Sequence, residues 1–348
     1  MITDIYNLVR GNIRNLAPYS TARDDFKGAA DTWLDANESP YAKFWNRYPD
    51  PRQKALKARI SELKGIPLDN IFLGNGSDEA IDLIYRIFCV PGVDNVVAVA
   101  PTYGMYEVAA GINDVEYRPV QLGEEFAFNG GALLEACDAN TKAIFICSPN
   151  NPTGNSFPCG QMLDVARKFD GIVVIDEAYI DFCDSASMSE YVADFPNIVV
   201  LQTLSKARGM AALRIGMAFA DRRIIGLMNN VKYPYNISGA AQSEALKLLE
   251  GDIKKEVDEI CRERSRVRNT LSGFRCIEKV YPSQSNFILV KVDDPDKLYD
   301  WLVRDGIIVR NRNKVKGCEG CLRITVGLAE ENDRLFKSLG EYEKSDIY

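Results

Sequence analysis

The segment NIVVLQTLSKARGMAALRIGMAFA, residues 197–220, decides the fold. It holds two short apolar runs, with a polar stretch containing Lys206 between them. Runs that are apolar on both faces are typical of strands in a sheet covered by helices, because each strand is then buried on two sides. Lys206 therefore comes directly after a predicted buried strand, which raises the question of what a single amine does at that position.

The same pattern recurs earlier in the chain. Short apolar runs lead into polar or glycine-containing turns in NVVAVAPTYG, KAIFICSPNNPTG and GIVVIDEAYIDF. Between these runs lie sequences with helical periodicity, including SDEAIDLIYRIFC and GQMLDVARKF. Alternating strands and helices indicate an α/β domain whose sheet is mainly parallel.

The pattern changes after Gln242. The sequence SEALKLLEGDIKKEVDEICRERSRVRNTLSGF predicts one long, charge-rich helix, and two β-like segments, SNFILVKV and CLRITVGL, follow with helices between and after them. This order indicates a second, smaller α/β unit. We expect an N-terminal arm over residues 1–30, a large domain over 31–250 and a small domain over 251–348.

Composition limits the possible partners. The 348 residues carry a formal net charge of −7, which argues against nucleic acid as the main partner, because nucleic-acid binding usually requires a basic face. The first residues lack the basic start and apolar core of a signal peptide, and no apolar run is long enough for a membrane helix. We therefore expect a cytoplasmic protein without membrane contact.

Histidine and cysteine usage limits the chemistry. The chain has no histidine, which excludes a Ser-His-Asp triad, a Cys-His pair and any imidazole acid or base. Its nine cysteines are odd in number and scattered through apolar runs, so we expect reduced core thiols. Cys318 and Cys321 have C-x-x-C spacing, but a zinc site would need a second pair or histidines. No metal is expected, and catalysis must come from other side chains or a cofactor.

Chemically active side chains follow the predicted strands. In parallel sheets, ligands bind outside the carboxyl ends of the strands, where loops from several strands meet. The residues at those ends are Tyr103, Asn151, Asp176 with Tyr179, and Ser205 with Lys206. An aromatic ring, an amide, an acid with a phenol and an amine are therefore expected near one another.

The side chains expected near Lys206 suggest a chemical function for its amine. A lysine after a strand is usually a solvated surface residue, but its amine becomes a nucleophile and a base once its charge is removed, and a Schiff base with an aldehyde cofactor removes it. The natural cofactor is pyridoxal 5'-phosphate. It requires an acid for its ring nitrogen, donors for its ring oxygen and a cradle for its phosphate.

Candidates for the first two requirements are present. Asp176 would be nearly buried, where a charge needs a partner such as a protonated ring nitrogen. The alternative is an Asp that caps the next helix, while the adjacent Glu177 could be structural. Tyr179 and Asn151 are hydrogen-bond donors for the ring oxygen, and Tyr103 could stack on the ring or be an ordinary loop tyrosine.

The phosphate cradle is predicted in FLGNGSDEAIDLIYRIF. Glycines lead directly into an amphipathic helix there, so free backbone N–H groups and the positive end of the helix dipole lie at one place. An arginine adds a fork of donors matched to phosphate, and hydroxyl groups add further donors. The candidates are Gly76, Ser77, Asp78, Ser205, Arg214 and Thr203.

The segments SPNNPTG, VIDEAY, TLSKARGMAALRIG and CLRITVG resemble the signature segments of fold type I pyridoxal-phosphate aminotransferases, and within them the histidinol-phosphate aminotransferase family. The resemblance extends through NLAPYSTARD, LDANESP, RYPDP and LGNGSDEAIDLI, and so covers essentially the whole chain in order. It implies a large domain with a mainly parallel seven-stranded sheet between helices, joined to a smaller α/β domain.

The resemblance also implies roles for the residues. Lys206 would carry the cofactor and move the substrate proton, Asp176 would hold the ring nitrogen, and Tyr179 and Asn151 would bind the ring oxygen. Tyr103 would stack on the ring. The phosphate would be held by Gly76, Ser77, Asp78, Ser205 and Arg214. The family forms homodimers with shared active sites, and Tyr48 matches the tyrosine that contacts the partner subunit's cofactor phosphate.

For the substrate, the resemblance implies that Arg323 binds the phosphate of histidinol phosphate, with Arg334, Tyr19 and Asn151 as further contacts. A strand over residues 322–326 would turn Arg323 away from its apolar side. The implied reaction moves an amino group between L-histidinol phosphate with 2-oxoglutarate and imidazole acetol phosphate with L-glutamate, in histidine biosynthesis.

Other functions are compatible with parts of the pattern. A threonine-phosphate decarboxylase or an aromatic amino acid aminotransferase would use the same Lys206 chemistry and differ in which bond at the α-carbon is aligned with the ring. A nucleotide-binding module or a catalytically silent scaffold is the alternative outside enzymes. Against the nucleotide alternative, the chain has no G-x-x-x-x-G-K-[ST] run, and GNGSDE lacks the dinucleotide glycine spacing.

Overall fold

Two β-sheets organise the chain in a computed structural model that describes residues 4–22, 26, 28, 30–41 and 45–345. The strands of the larger sheet are β1 (Ile71–Asn75), β2 (Asn95–Ala100), β3 (Glu116–Gln121), β4 (Thr141–Cys147), β5 (Ile172–Asp176), β6 (Ile198–Thr203) and β7 (Ile215–Ala220). The strands of the smaller sheet are β8 (Ile277–Val280), β9 (Phe287–Val292), β10 (Arg310–Asn311) and β11 (Cys321–Thr325).

The larger sheet has the order β1-β7-β6-β5-β4-β2-β3. Neighbours pair in parallel from β6 through to β3, whereas β7 runs antiparallel to both β1 and β6. The smaller sheet, in the order β10-β11-β9-β8, is antiparallel throughout. The expected α/β class, with a mainly parallel seven-stranded sheet and a second smaller unit, is confirmed.

Helices connect the strands. In chain order they are α1 (Gly11–Arg14), α2 (Lys54–Lys64), α3 (Ser77–Phe88), α4 (Met105–Ile112), α5 (Gly130–Glu135), α6 (Cys159–Lys168), α7 (Arg222–Val231), α8 (Gly239–Leu248), α9 (Lys254–Leu271), α10 (Pro295–Arg304) and α11 (Ala329–Ser345). Short 3-10 turns occur between several of them.

Apart from the edge strand β3, the larger sheet is buried on both faces. In β5, Ile172 and Val174 belong to one apolar cluster, while Val173 and Ile175 belong to the cluster on the opposite face. Alternate residues of a strand point to opposite faces, so a strand covered on both sides needs apolar residues at every position. This is why the predicted strands appear as continuous apolar runs and end where a polar loop begins.

The single long helix predicted from Ser243 onward is wrong. The structure has two helices there, α8 and α9, separated by the segment 249–253. Gly251 lies in this break, and the Asp252 carboxylate accepts a hydrogen bond of 3.0 Å from the backbone N–H of Lys254. A glycine weakens a helix and an aspartate beside a helix start satisfies its free N–H groups, so the chain stops one helix and begins another.

The cysteines pack as reduced side chains and form no disulfide. All nine are free thiols, and Cys318 and Cys321 pack in a small buried group with Leu289. In the part of the chain that the structure describes, no group of three acidic, cysteine or histidine side chains could hold a metal ion. Within the same residues, no helix has the length and apolar character that crossing a bilayer requires.

Candidate functional site

A cavity of about 500 Å³ opens where the carboxyl ends of the parallel strands face the smaller sheet. The parallel strands β2, β4, β5 and β6 each contribute a predicted residue, because the chain leaves a parallel sheet at the same edge every time. The predicted residues that line the cavity are Gly76, Ser77, Asp78, Tyr103, Asn151, Asp176, Tyr179, Thr203, Ser205, Lys206, Arg214 and Arg323.

Lys206 and Asp176 share this cavity. Lys206 follows β6, and its amine lies 5.5 Å from the centre of the Tyr179 ring. Although the Lys206 side chain as a whole is open to the cavity, the surrounding protein desolvates its amine and so lowers its pKa, and the positive charge of Arg323 lowers that pKa further. A lowered pKa makes the neutral, nucleophilic amine more available.

Asp176 is a buried acid at the end of β5. One of its carboxylate oxygens accepts a hydrogen bond of 2.8 Å from the Tyr106 hydroxyl, and the other accepts one of 3.0 Å from the backbone N–H of Ala178. Burial raises the pKa of Asp176, while the Tyr106 and Ala178 bonds and the Lys206 charge act against that rise. A positively charged group in the cavity would stabilise the ionised carboxylate.

The neighbouring acid, Glu177, points elsewhere. Its carboxylate accepts hydrogen bonds from Ser187, Gln202 and the backbone N–H of Met188, outside the cavity. Burial raises the pKa of Glu177 to about 7. These contacts give Glu177 a structural role, and Asp176 is the acid directed at the site.

Three side chains form a chain of contacts along one wall. The Asn151 amide nitrogen lies 3.4 Å from the Tyr179 hydroxyl, and the Asn151 amide oxygen accepts a hydrogen bond from the Arg323 guanidinium. The Arg323 guanidinium also lies 5.1 Å from the centre of the Phe287 ring. The larger sheet and the smaller sheet therefore meet at Asn151, with Tyr179 on the side of Lys206.

The predicted anion cradle is present at the start of α3. Gly76 precedes the helix with a φ of 77°, a conformation that favours glycine, and Ser77 and Asp78 form the first helical positions. A side chain at Gly216 on β7 would collide with the Ser77 amide nitrogen. Because Gly76 and Gly216 have no side chains, the start of α3 can approach the sheet closely. Its first backbone N–H groups are then directed at the cavity.

Side chains complete the cradle. The Arg214 guanidinium lies 3.4 Å from one Asp78 carboxylate oxygen, and the Tyr103 hydroxyl donates to the other at 3.0 Å. The Thr203 hydroxyl bonds the Ser205 hydroxyl at 2.9 Å. The cradle therefore combines backbone N–H groups, hydroxyls and a cation, which is a donor set that suits a phosphate.

The opposite end of the cavity carries a cluster of arginines. Arg310 of β10 and the adjacent Arg312 line it together with Arg323 of β11, and Arg310 is paired with Arg323 in the β10–β11 register. None of the three has a carboxylate within ion-pair distance among the described residues. Burial and mutual repulsion lower the pKa of both Arg312 and Arg323. This end of the cavity is prepared for an anion that the chain does not itself supply.

Three predicted residues lie outside this cavity. Tyr19 is 71% exposed, and Tyr48 is 49% exposed with its ring stacked on Tyr235 at 4.4 Å. Arg334 lies on the exposed side of α11 and donates to the backbone carbonyl of Asp305. The structure thus brings all the predicted cofactor residues except Tyr48 into one cavity. Of the predicted substrate residues, Asn151 and Arg323 lie in this cavity, and Tyr19 and Arg334 do not.

Three residues of the site were missed from the sequence. Tyr106 follows Tyr103 by three residues in PTYGMYEVAAG, so its helical spacing was a usable signal. Arg310 and Arg312 lie in VRNRNKVKG, where their alternate spacing suits one side of an extended segment. Only their position opposite Lys206 distinguishes them from exposed surface arginines.

These residues fit pyridoxal 5'-phosphate. A buried carboxylate needs a positive partner such as a protonated ring nitrogen, the desolvated amine of Lys206 suits an aldehyde, and the start of α3 with Arg214 suits a phosphate. A second anion site remains at the arginine cluster, beyond the one that the cofactor would use. The arrangement therefore fits a substrate with an amino group at one end and an anion at the other.

The chain is similar to known proteins over nearly its whole length. Residues 21–339 match the family model for aminotransferase class I and II. A histidinol-phosphate aminotransferase from Parabacteroides distasonis is 53% identical over 338 residues, which cover 97% of this chain and 98% of that protein. The match therefore includes both sheets and the cavity between them.

Solved structures share the fold. A histidinol-phosphate aminotransferase from Sinorhizobium meliloti in complex with pyridoxal-5'-phosphate has a TM-score of 0.78 at 24% identity, covering 86% of this chain and 83% of that chain. An L-threonine-O-3-phosphate decarboxylase from Porphyromonas gingivalis has a TM-score of 0.74 at 20% identity, covering 86% and 91%. Because enzymes with two different reactions share this fold, the fold does not choose between them.

Proposed function

This chain belongs to the class I and II aminotransferase family, and from that premise we propose that it uses pyridoxal 5'-phosphate to transfer an amino group in histidine biosynthesis. The transfer runs between L-histidinol phosphate with 2-oxoglutarate and imidazole acetol phosphate with L-glutamate. The name and the 53% identity of the Parabacteroides distasonis relative support this substrate.

One observation carries the proposal. Arg310 and Arg323 stand without a carboxylate partner, among the described residues, at the end of the cavity opposite the phosphate cradle. A substrate phosphate would bring three terminal oxygens and a charge of about −1.5 to −2 to these guanidinium groups, whereas the α-carboxylate of an aromatic amino acid would bring two oxygens and a single charge. The Arg323 guanidinium is half-buried, where a charge is costly unless it is paired, so the stronger anion of a phosphorylated amine is favoured.

The side chains near Lys206 have defined tasks. When bound, the cofactor supplies an electron sink that weakens the bonds at the substrate α-carbon. Lys206 holds and returns the proton at that carbon, which its lowered pKa favours. Asp176, held by Tyr106 and Ala178, would pair with the protonated ring nitrogen, and Tyr179 and Asn151 would bind the ring oxygen.

We further propose a homodimer with shared active sites. Tyr48 lies outside the cavity of its own chain and presents a half-exposed ring beside Tyr235, as a residue that serves the partner subunit would. The exposed ring of Trp45 supplies apolar surface near it. The nine free thiols suit the reducing cytoplasm, where we place the enzyme.

A half-reaction screen tests the substrate. Purified holoenzyme is mixed separately with L-histidinol phosphate, L-glutamate, O-phospho-L-threonine and L-phenylalanine, and conversion of the bound cofactor to its amine form is followed by absorbance. We expect conversion with the first two. Carbon dioxide release with phosphothreonine would instead indicate a decarboxylase, and conversion with phenylalanine but not with histidinol phosphate would refute the proposed substrate.

Subunit mixing tests the shared site. Lys206→Ala and Tyr48→Ala variants are purified separately, mixed under conditions that exchange subunits, and assayed. If Tyr48 serves the partner subunit, a mixed dimer regains one site that has both residues, and activity appears that neither variant shows alone. No recovery, with subunit exchange demonstrated by two affinity tags, would refute the proposal.

A further inference from the structure

Arg312 has a position in the cavity that the transamination chemistry itself does not explain. It lines the cavity between β10 and β11, and its backbone N–H donates to the carbonyl of Cys321 at 2.9 Å, which ties it to the edge of the smaller sheet. Its side chain makes no hydrogen bond or ion pair with any described residue. Its Nε atom is buried without an acceptor, as is the Nε atom of Arg323.

The segment around Arg312 is held in place from outside the cavity. The side chains of Asn311 and Asn313, on either side of it, both donate to the carboxylate of Asp296, at 2.6 and 3.1 Å. The Asn313 amide oxygen also accepts from the backbone N–H of Gly320 at 3.0 Å. The flanking residues are therefore fixed to α10 and to the following loop, which orders Arg312 before any ligand arrives.

The surroundings of Arg312 disfavour its positive charge. Burial is the main cause of its lowered pKa, the positive charge of Arg310 adds to the shift, and Cys318 and Tyr179 act in the other direction. Holding a desolvated guanidinium beside other cations costs free energy unless an anion pairs with it. A structural arginine would be expected to have an acceptor for its buried Nε, because buried donors are nearly always paired.

A phosphate and a carboxylate make different demands on this cluster. One guanidinium fork satisfies both oxygens of a carboxylate. A phosphate monoester has three terminal oxygens and a charge of about −1.5 to −2 at neutral pH, so it has oxygens and charge left over for further donors. Arg323 and Arg310 meet the needs of a monoanion, and a third guanidinium adds stabilisation mainly for a dianion.

We propose that Arg312 is a specificity-determining residue that makes the enzyme prefer a phosphate over a carboxylate at the arginine cluster. This inference rests on the proposed function, because it assumes that one cluster receives both the phosphate of histidinol phosphate and the α-carboxylate of glutamate, which occupy the same position on the α-carbon. Arg312 binds the phosphate oxygens that Arg310 and Arg323 leave free, and it contributes little to glutamate.

The test compares the two half-reactions in wild type, Arg312→Gln and Arg312→Lys. For Arg312→Gln we expect the KM for histidinol phosphate to rise about 10- to 100-fold, the range expected for a charged hydrogen bond, with the maximal rate nearly unchanged. For glutamate we expect a change in KM of less than about 3-fold. Arg312→Lys keeps the charge but not the fork, so its KM for histidinol phosphate should lie between the other two.

A binding measurement gives a readout that does not depend on turnover. Inorganic phosphate is titrated into holoenzyme by calorimetry, with the cofactor already in its own phosphate cradle. Binding should weaken in Arg312→Gln by a factor similar to the rise in KM. Arg304→Gln, an exposed arginine at the end of α10, is the matched control and should match wild type in both measurements.

The outcomes separate the two proposals. If wild-type enzyme does not react with histidinol phosphate, the proposed function fails. If wild type reacts but Arg312→Gln loses equally toward both substrates, or toward neither, the specificity role of Arg312 is refuted. Should Arg312→Gln melt at a much lower temperature than wild type, Arg312→Lys decides alone: a KM for histidinol phosphate equal to that of wild type would overturn the proposal.

Discussion

The two ends of the cavity differ in how their charges are paired. At the cofactor end, Arg214 faces Asp78, which also accepts from Tyr103, and Asp176 accepts from Tyr106. At the substrate end, Arg310 and Arg312 face no carboxylate among the described residues, and Arg323 reaches only the amide oxygen of Asn151. At the cofactor end the chain supplies hydrogen-bond or ionic partners for these charged side chains. At the substrate end it supplies no anion for the arginines.

This difference has a physical consequence. A paired end keeps its geometry whether or not a ligand is present, which suits a group that remains bound through many turnovers. An unpaired end stores an electrostatic cost that only an incoming anion relieves, and the relief is larger for a phosphate than for a carboxylate. Variants at the paired end should therefore reduce the rate of the chemistry, and variants at the unpaired end should reduce substrate affinity.

The largest expected effect is at Lys206. Replacing it with alanine removes both the nucleophile and the proton carrier, so we expect transamination to fall by at least about 10⁴-fold. Borohydride treatment followed by peptide mass spectrometry should find cofactor fixed to Lys206 in wild type and no fixed cofactor in the variant. Lys247→Ala, an exposed lysine paired with Glu244, is the control. Cofactor fixed at another lysine in wild type would contradict the assignment.

The second-largest effect is expected at Asp176. Asp176→Asn removes the carboxylate that would pair with the ring nitrogen, and we expect kcat to fall by about 10²- to 10³-fold, as for loss of one electrostatic stabiliser. Glu177→Gln makes the same chemical change at the adjacent acid, whose contacts lie outside the cavity, and should retain activity. If the two variants lost activity equally, burial of an acid at the strand end, and not contact with the cofactor, would be the common cause.

Arg323 tests the substrate end. Arg323→Gln removes a half-buried guanidinium from the anion subsite, and we expect the KM for histidinol phosphate to rise about 100-fold, within the range for truncating a buried charge partner. The cofactor absorbance of the resting enzyme should not change. A loss confined to kcat with unchanged KM would show that the two ends are not functionally distinct.

Tyr106 should give the smallest effect and the sharpest test of the paired end. Tyr106→Phe removes a donor to Asp176, so we expect kcat to fall about 3- to 10-fold, the worth of one hydrogen bond. That bond lowers the pKa of Asp176, so its loss should raise this pKa. Asp176 would then become protonated at a higher pH, and the acidic limb of the pH–rate profile should shift to higher pH.

A second buried tyrosine provides the control for that profile. Tyr85 donates its hydroxyl to the backbone carbonyl of Tyr106 at 2.7 Å and has no contact with Asp176. Tyr85→Phe should lower stability without moving the acidic limb. A limb that moved equally in both variants would indicate a general loosening of the core and would remove Tyr106 from the site.

The cofactor end could be predicted from sequence because its residues are adjacent to regular structure. Each buried strand is recognisable as an apolar run, and parallel strands bring their carboxyl ends to one edge, so Asp176 and Lys206 meet for reasons visible in the chain itself. The glycine-led start of α3 followed the same logic. Their roles toward the cofactor stay predictions until the variants above are measured.

The substrate end could not be predicted in this way. Arg310 and Arg312 lie in a segment with only a two-residue strand, and nothing local distinguishes them from Arg334, which the resemblance favoured and which lies outside the cavity. The break between α8 and α9 was likewise missed, because one Gly within a strongly helical pattern is only weak evidence for the end of a helix.

The sequence by itself determined the α/β class, the buried strands and the positions of the reactive side chains at their ends, because burial on two faces imposes a pattern that can be read residue by residue. Only the tertiary structure decided which cations face the site and which face solvent. That choice depends on how the smaller sheet packs over the larger one, and contacts between residues more than a hundred positions apart leave no local trace in the chain.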